Sequence, residues 1–91
     1  LLKSTTLDVD KFKVNSVKVY PNPSSGIFVI RGTVPIESYT ISDVQGRLVA
    51  NKKGLVVFES EIDLTNKKKG VYFLVIRENN GNQSSKKIIL N

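Results

Sequence analysis

The sequence predicts an all-β fold, a sandwich or barrel, and three observations carry that prediction. Apolar runs of about four to eight residues recur at short spacing, each bounded by glycine, proline, asparagine or aspartate, which is how strands and turns alternate in such folds. No stretch keeps a 3.6-residue apolar period over the length of a helix, and no repeat or low-complexity tract interrupts the series. At 91 residues and 40% hydrophobic content, the chain has room for one core but not for a core plus a deep catalytic cleft.

About seven strands follow in order. Residues 7–14 (LDVDKFKV) alternate weakly, and residues 17–20 (VKVY) lead into the corner YPNPSSG. Pro21 and Pro23 have fixed φ and no amide proton, so the chain must leave the sheet there. Asn22, ahead of a proline, is pushed toward extended backbone, and Gly26 is expected to supply a positive φ. Residues 26–32 leave the corner, and Gly32 and Pro35 are expected to end that strand. Residues 36–44 run into DVQG and residues 47–53 return, a hairpin with Asp43 first and Gly46 fourth in a type I turn followed by a glycine bulge. Its Asp43 carboxylate is placed to accept bonds from backbone amides.

In residues 54–64, Val56, Phe58, Ile62 and Leu64 share one parity and are expected to be buried, with Glu59, Glu61 and Asp63 on the exposed face. TNKKK (65–69) predicts a polar loop, with room for one helical turn within 60–69. VYFLVIRE (71–78) is apolar at both parities and predicts a central strand packed on both faces. The Asn-Gly pair in NNGN (79–82) predicts a two-residue hairpin turn, after which residues 83–91 return as the last strand.

Composition bounds function mainly by exclusion. The chain has no cysteine and no histidine, which removes disulfides, thiolate metal sites, a cysteine nucleophile and the usual general base. Glu59, Glu61 and Asp63 form the densest acidic set, but on one exposed strand face nothing would drive their pKa values apart. Asp8 and Asp10 make a D-x-D without the oxygen count or turn glycine of a calcium loop. No catalytic site, metal or cofactor is expected. The formal charge of +6 favours acidic surfaces, and Lys67, Lys68 and Lys69 form either an exposed loop or a basic docking patch. No nucleic-acid motif accompanies them, and the absence of tryptophan weakens a sugar-binding platform. Tyr20 and Tyr72 are expected to fill core or corner positions. Asn82-Gln83-Ser84 fits a glycosylation sequon, a pattern short enough to arise by chance. No apolar stretch nears the roughly 20 residues of a bilayer span, so no direct membrane insertion is expected. A start at Leu1 without a charged-then-apolar leader reads as a piece of a longer protein.

The order of the punctuation is more specific than its parts: VYPNPSSG, then ISDVQGRLV, then IDLTNKKKGVYFLVI, then KKIILN. Over residues 17–91 it resembles the type A C-terminal sorting domain of the type IX secretion system of Bacteroidetes. The family's YPNP-x-x-G falls on Tyr20, Pro21, Asn22, Pro23 and Gly26, and its D-x-x-G-[RK] turn on Asp43, Gly46 and Arg47. Its G-[VI]-Y falls on Gly70, Val71 and Tyr72, and its terminal lysine with aliphatics on Lys87, Ile88 and Ile89, beside Lys86.

The resemblance implies a small Ig-like β-sandwich of about seven antiparallel strands over residues 15–91, with residues 1–14 a linker or an additional N-terminal strand. It also implies a sorting signal fused to a secreted cargo protein, with no enzymatic activity, cofactor or nucleic-acid partner. The cargo would pass the periplasm, dock through this domain on the type IX translocon and its outer-membrane shuttle protein, and reach the cell surface or medium. A sortase-like surface peptidase would remove the domain near or before LLKSTT. The terminal strand 84–90 is the expected docking edge, with Lys86 and Lys87 either discouraging aggregation or forming part of the signal, and Pro21 and Pro23 are expected to be structural. The rival readings are an Ig-like adhesion or spacer module, or a carbohydrate-binding module, retained on a secreted protein.

Overall fold

A computed structural model describes residues 17–91. It contains six strands, β1 (Val17–Tyr20), β2 (Ile27–Asp43), β3 (Leu48–Lys52), β4 (Val57–Asp63), β5 (Gly70–Glu78) and β6 (Gln83–Leu90). The run 7–14, the choice between linker and strand for residues 1–14, and the Asp8 and Asp10 pair lie outside the described residues.

The 17-residue β2 organises the rest. Its first part pairs with β1, from Val17↔Gly32 to Tyr20↔Val29, and with β4, from Ile27↔Asp63 to Arg31↔Glu59. Its last part, from Ile36 to Asp43, pairs with β5, and residues 39–42 pair with β3. Gly32 and Pro35 therefore do not end a strand, as expected from their residue types; they bend one. The ladder shifts register between Arg31 and Ile36 and again between Ile36 and Ser38, and a proline is tolerated where the ladder is interrupted. The Pro35 carbonyl accepts the Asn79 amide at 2.9 Å. Across the second shift the buried parity changes, from Phe28 and Ile30 to Tyr39 and Ile41.

The bend brings the two halves of the sheet face to face, with β1, β4 and the first part of β2 over β3, β5, β6 and the second part. One core joins them, with Phe28, Ile30 and Ile62 from the first layer and Ile41, Leu74, Ile76 and Ile88 from the second. Both termini of β2 consequently lie at one end of the sandwich. The bend lies at the other, beside the β5–β6 hairpin, where Ile36 pairs with Glu78.

Four features of faces and turns differ from the sequence expectation. β5 is central, flanked by β2 and β6, but it is packed on one face only: Tyr72, Leu74 and Ile76 are buried while Phe73 and Val75 are exposed. A two-layer sandwich leaves even its central strands one solvent face. Ile62 and Leu64 are buried as their parity demands, but Val56 and Phe58 are exposed, because Phe58 falls in the register shift and Val56 precedes the strand. The turn after β5 has three residues, not two. Gly81 N–H donates to the Glu78 carbonyl and Glu78 N–H to the Asn82 carbonyl, and only Gly81, with φ 94°, has positive φ. This is the same type I turn with glycine bulge as at Asp43–Gly46, because Asn80 does not enter the left-handed region that a two-residue type I′ turn requires. No helical turn forms in 60–69; a plain turn at residues 65–66 takes its place.

Candidate functional site

The proline corner is held against the last strand. Both Tyr20-Pro21 and Asn22-Pro23 are cis, and between the prolines the Asn22 side chain bridges to β6. Its Nδ2 donates to the Lys87 carbonyl at 2.9 Å and its Oδ1 accepts the Ile89 amide at 3.0 Å. Ser24 N–H donates to the Ile89 carbonyl and Asn91 N–H to the Ser24 carbonyl, making a parallel bridge between Ser24 and Leu90. An amide side chain, which offers one acceptor and two donors, stands in for a neighbouring strand here. The 84–90 strand is thus an edge by its ladder, but from Lys87 onward its outer side is occupied. The expected open docking edge shrinks to the residues before Lys87.

Lys86 and Lys87 face opposite ways. Lys86 pairs with buried Leu74 on the inner face and is half-buried, whereas Lys87 pairs with Phe73 on the outer face and is exposed. An inward charge on the uncovered half of an edge strand discourages another chain from pairing there. Gly26 does not take the positive φ expected of it. Its requirement is steric: a Cβ would collide with the Thr65 Cγ2, and the chain passes this close because Leu64 N–H donates to the Gly26 carbonyl at 2.8 Å. Tyr20 stays partly exposed beside the corner, while Tyr72 is buried with its hydroxyl donating to the Lys68 carbonyl.

Replacing Asn22 with alanine removes two hydrogen bonds to the last strand. The expected cost is about 1–3 kcal/mol, or a Tm lower by roughly 4–8 °C per kcal/mol. Thermal unfolding followed by circular dichroism checks this, and faster hydrogen exchange at the Ile89 amide localises it.

The Asp43 turn matches its sequence reading. Asp43 Oδ1 accepts the amides of Gln45 at 2.9 Å and Arg47 at 3.0 Å, Oδ2 pairs with Arg47 Nε at 2.9 Å, and Gly46 has φ 84°. Loss of water around the Asp43 carboxylate works to raise its pKa, but the two backbone amides and the Arg47 guanidinium outweigh this and hold it below the ordinary 3.8. The Thr65 hydroxyl and amide lower Asp63 in the same way. Groups with depressed folded-state pKa values contribute stability above their ordinary value and lose it as pH falls through the folded one. Tm is therefore expected to hold steady between about pH 7 and 5 and to fall below about pH 4. Asp43→Asn, which keeps an acceptor but cannot titrate, is expected to make the acid loss shallower.

The four blocks, up to 67 residues apart along the chain, form adjacent columns at the end of the sandwich where both termini of β2 lie. The corner abuts β6, Leu90 and Ile89 pair with Gly70 and Val71, Tyr72 pairs with Ile88 and Asp43, and Asp43 holds Arg47. Gly70, with φ 148°, starts β5. Beside these columns the Asp43 turn and the Lys67–Lys69 loop enclose a cleft of about 500 Å³, walled also by Val44, Leu48 and Val71. The roles of Asn22, Val44 and Leu48 were not legible in the sequence, since each depends on partners distant in the chain. The lone asparagine between two prolines is the one local signal that could have marked the first. Among the described residues no group of three or more acidic side chains is placed to hold a metal ion.

The chain matches the family described as secretion system C-terminal sorting domain over residues 18–91. It is also similar to Ulvan lyase NLR42 from Nonlabens ulvanivorans, at 33% identity over 94 residues. That similarity covers 99% of this chain and 17% of the lyase's length.

Proposed function

We propose, since this chain belongs to the secretion-system C-terminal sorting domains, that it takes an attached cargo protein through the outer membrane by docking on the type IX translocon and its shuttle protein. A sortase-like surface peptidase then cuts it away. Members of the family are type IX sorting signals of proteins delivered to the cell surface or the extracellular space, and the signal itself is not a catalyst.

One observation supports a docking mechanism: all four motif blocks share one end of the sandwich, the corner tied to the last strand by Asn22 and the Asp43 turn closed on itself. The contacts that hold the fold bring turn, corner and terminus together, so one partner can read them as a single composite surface. Of the proposed recognition residues, Arg47 and Lys87 are outward and available, whereas Gly26, Tyr72 and Ile88 are buried and support the surface from beneath. Tyr20, Pro21 and Pro23 are exposed at the corner, while Val71 and Ile89 are half-covered on the outer face. A sorting label needs no knowledge of its cargo, which fits a relative named as a lyase of which the similarity covers only 17%.

The test is a fluorescent protein carried behind a periplasmic signal peptide and ahead of residues 1–91, expressed in a host with a type IX system. The expected result is fluorescence at the surface or in the medium, in a product whose intact mass lacks the domain. An exported product that retains the full domain would overturn the removal step.

A further inference from the structure

We propose that the cleft between the Asp43 turn and the Lys67–Lys69 loop receives an acidic, aliphatic-bearing peptide segment of an export-machinery protein. The proposal rests on the sorting reading and names the chemistry of its partner.

The cleft's charge is unspent. Among the described residues the ion pairs are Arg31–Glu59, Arg47–Asp43 and Arg77–Glu37, so Lys67, Lys68 and Lys69 have no acidic partner there. Asp43, the one acid on the cleft wall, is already engaged by Arg47 and two amides. Three adjacent like charges repel one another, and an incoming carboxylate relieves that repulsion as well as pairing with them.

The loop is held in place before any partner arrives. Lys67 N–H donates to the Leu64 carbonyl at 3.0 Å, and the buried Tyr72 hydroxyl donates to the Lys68 carbonyl. A loop fixed in advance loses less conformational freedom on binding.

The walls decide between classes of anion. Val44 and Leu48 are 67% and 62% exposed, large values for aliphatic side chains that could have been polar without cost to the core. Sugars and nucleic-acid bases prefer flat aromatic platforms, and the outer part of this cleft offers branched aliphatics. Aliphatic walls beside cations match a segment carrying both carboxylates and leucine-like side chains.

The probe is a fluorescein-labelled peptide of glutamate and leucine, titrated into the whole 91-residue chain, beside a glutamine and leucine peptide and dextran sulfate. The expected result is saturable, salt-sensitive binding of the acidic peptide, with amide shifts confined to residues 44–48 and 67–71. The combined substitution Lys67→Ser, Lys68→Ser and Lys69→Ser is expected to weaken it about tenfold, since three modest, solvent-screened ionic contacts are lost together. Leu48→Ser is expected to weaken it by roughly threefold through lost apolar contact. All these side chains are exposed, and unchanged Tm values show that the variants fold. In the export assay the triple variant is expected to leave at least about half of the reporter behind, following its weaker docking.

Equal binding of the glutamine peptide, or acidic-peptide binding that ignores Leu48→Ser, would overturn the proposal in favour of generic contact. Normal export by a triple variant that has lost peptide binding would also overturn it while leaving the sorting reading intact. Retention of the unmodified fusion in the periplasm would remove the sorting reading and this inference with it.

Discussion

Removal of residues 83–91 is expected to unfold the domain rather than merely silence it. β6 contributes Ile88 and Leu90, both buried, and pairs with one edge of β5 along eight positions from Gly70↔Leu90 to Arg77↔Gln83. Burial of each large aliphatic is worth about 1.5–3 kcal/mol. The cut also exposes part of Tyr72, Leu74 and Ile76 and strips the corner of its anchors at Lys87 and Ile89. Against a total stability of about 5–15 kcal/mol for a domain, these losses together leave no folded state. Far-ultraviolet circular dichroism of residues 1–82 is expected to show no cooperative transition; a cooperative melt near that of the full chain would contradict the packing described. A C-terminal truncation that blocks export therefore does not by itself locate the signal, and substitutions on the outer face are the cleaner instrument. Even Ile88→Ala alone is expected to cost about 2–5 kcal/mol.

The second large effect distinguishes two residues of the same type. Phe28 is fully buried, pairs with Ile62 across the first layer and sits in the shared core; Phe28→Ala is expected to cost about 3–5 kcal/mol and to lower Tm by at least about 12 °C. Phe73 is 45% exposed on the outer face of β5, so Phe73→Ala is expected to cost no more than about 1 kcal/mol. Guanidinium titrations of both variants check the contrast. Similar losses would mean that β5 is covered on both faces, as its sequence alone suggests.

What the sequence made legible is local. The Asp43 turn could be foreseen in detail because its bonds span four residues and depend on one carboxylate and one glycine. The all-β class, the exposed Glu59, Glu61 and Asp63, and the central position of β5 follow from periodicity and order in the same way. What was hidden depends on contacts set by tertiary packing. Pro35 bends β2 instead of ending it because the register shift spares it a ladder bond. Gly26 answers to Thr65, thirty-nine positions later in the chain. Phe58 keeps the parity of a core residue but falls where the ladder slips. The purpose of the proline corner was the furthest from view, since Asn22 reaches Ile89 across nearly the whole domain. That contact turns the expected open edge into a half-closed one and moves the candidate docking surface to the end of the sandwich.

This end, and not the bend at the opposite end, is expected to face the secretion machinery. The direct measurement is photocrosslinking in cells during export, with a photoreactive amino acid placed at Val44 in one fusion and at Val56 in another. Both positions are exposed, at 67% and 74%, but Val44 lies at the motif end and Val56 beside the bend. Crosslinks to an outer-membrane secretion component are expected from position 44 and few or none from position 56. Crosslinks from position 56 with none from position 44 would contradict it and place docking on the exposed Val56 and Phe58 instead.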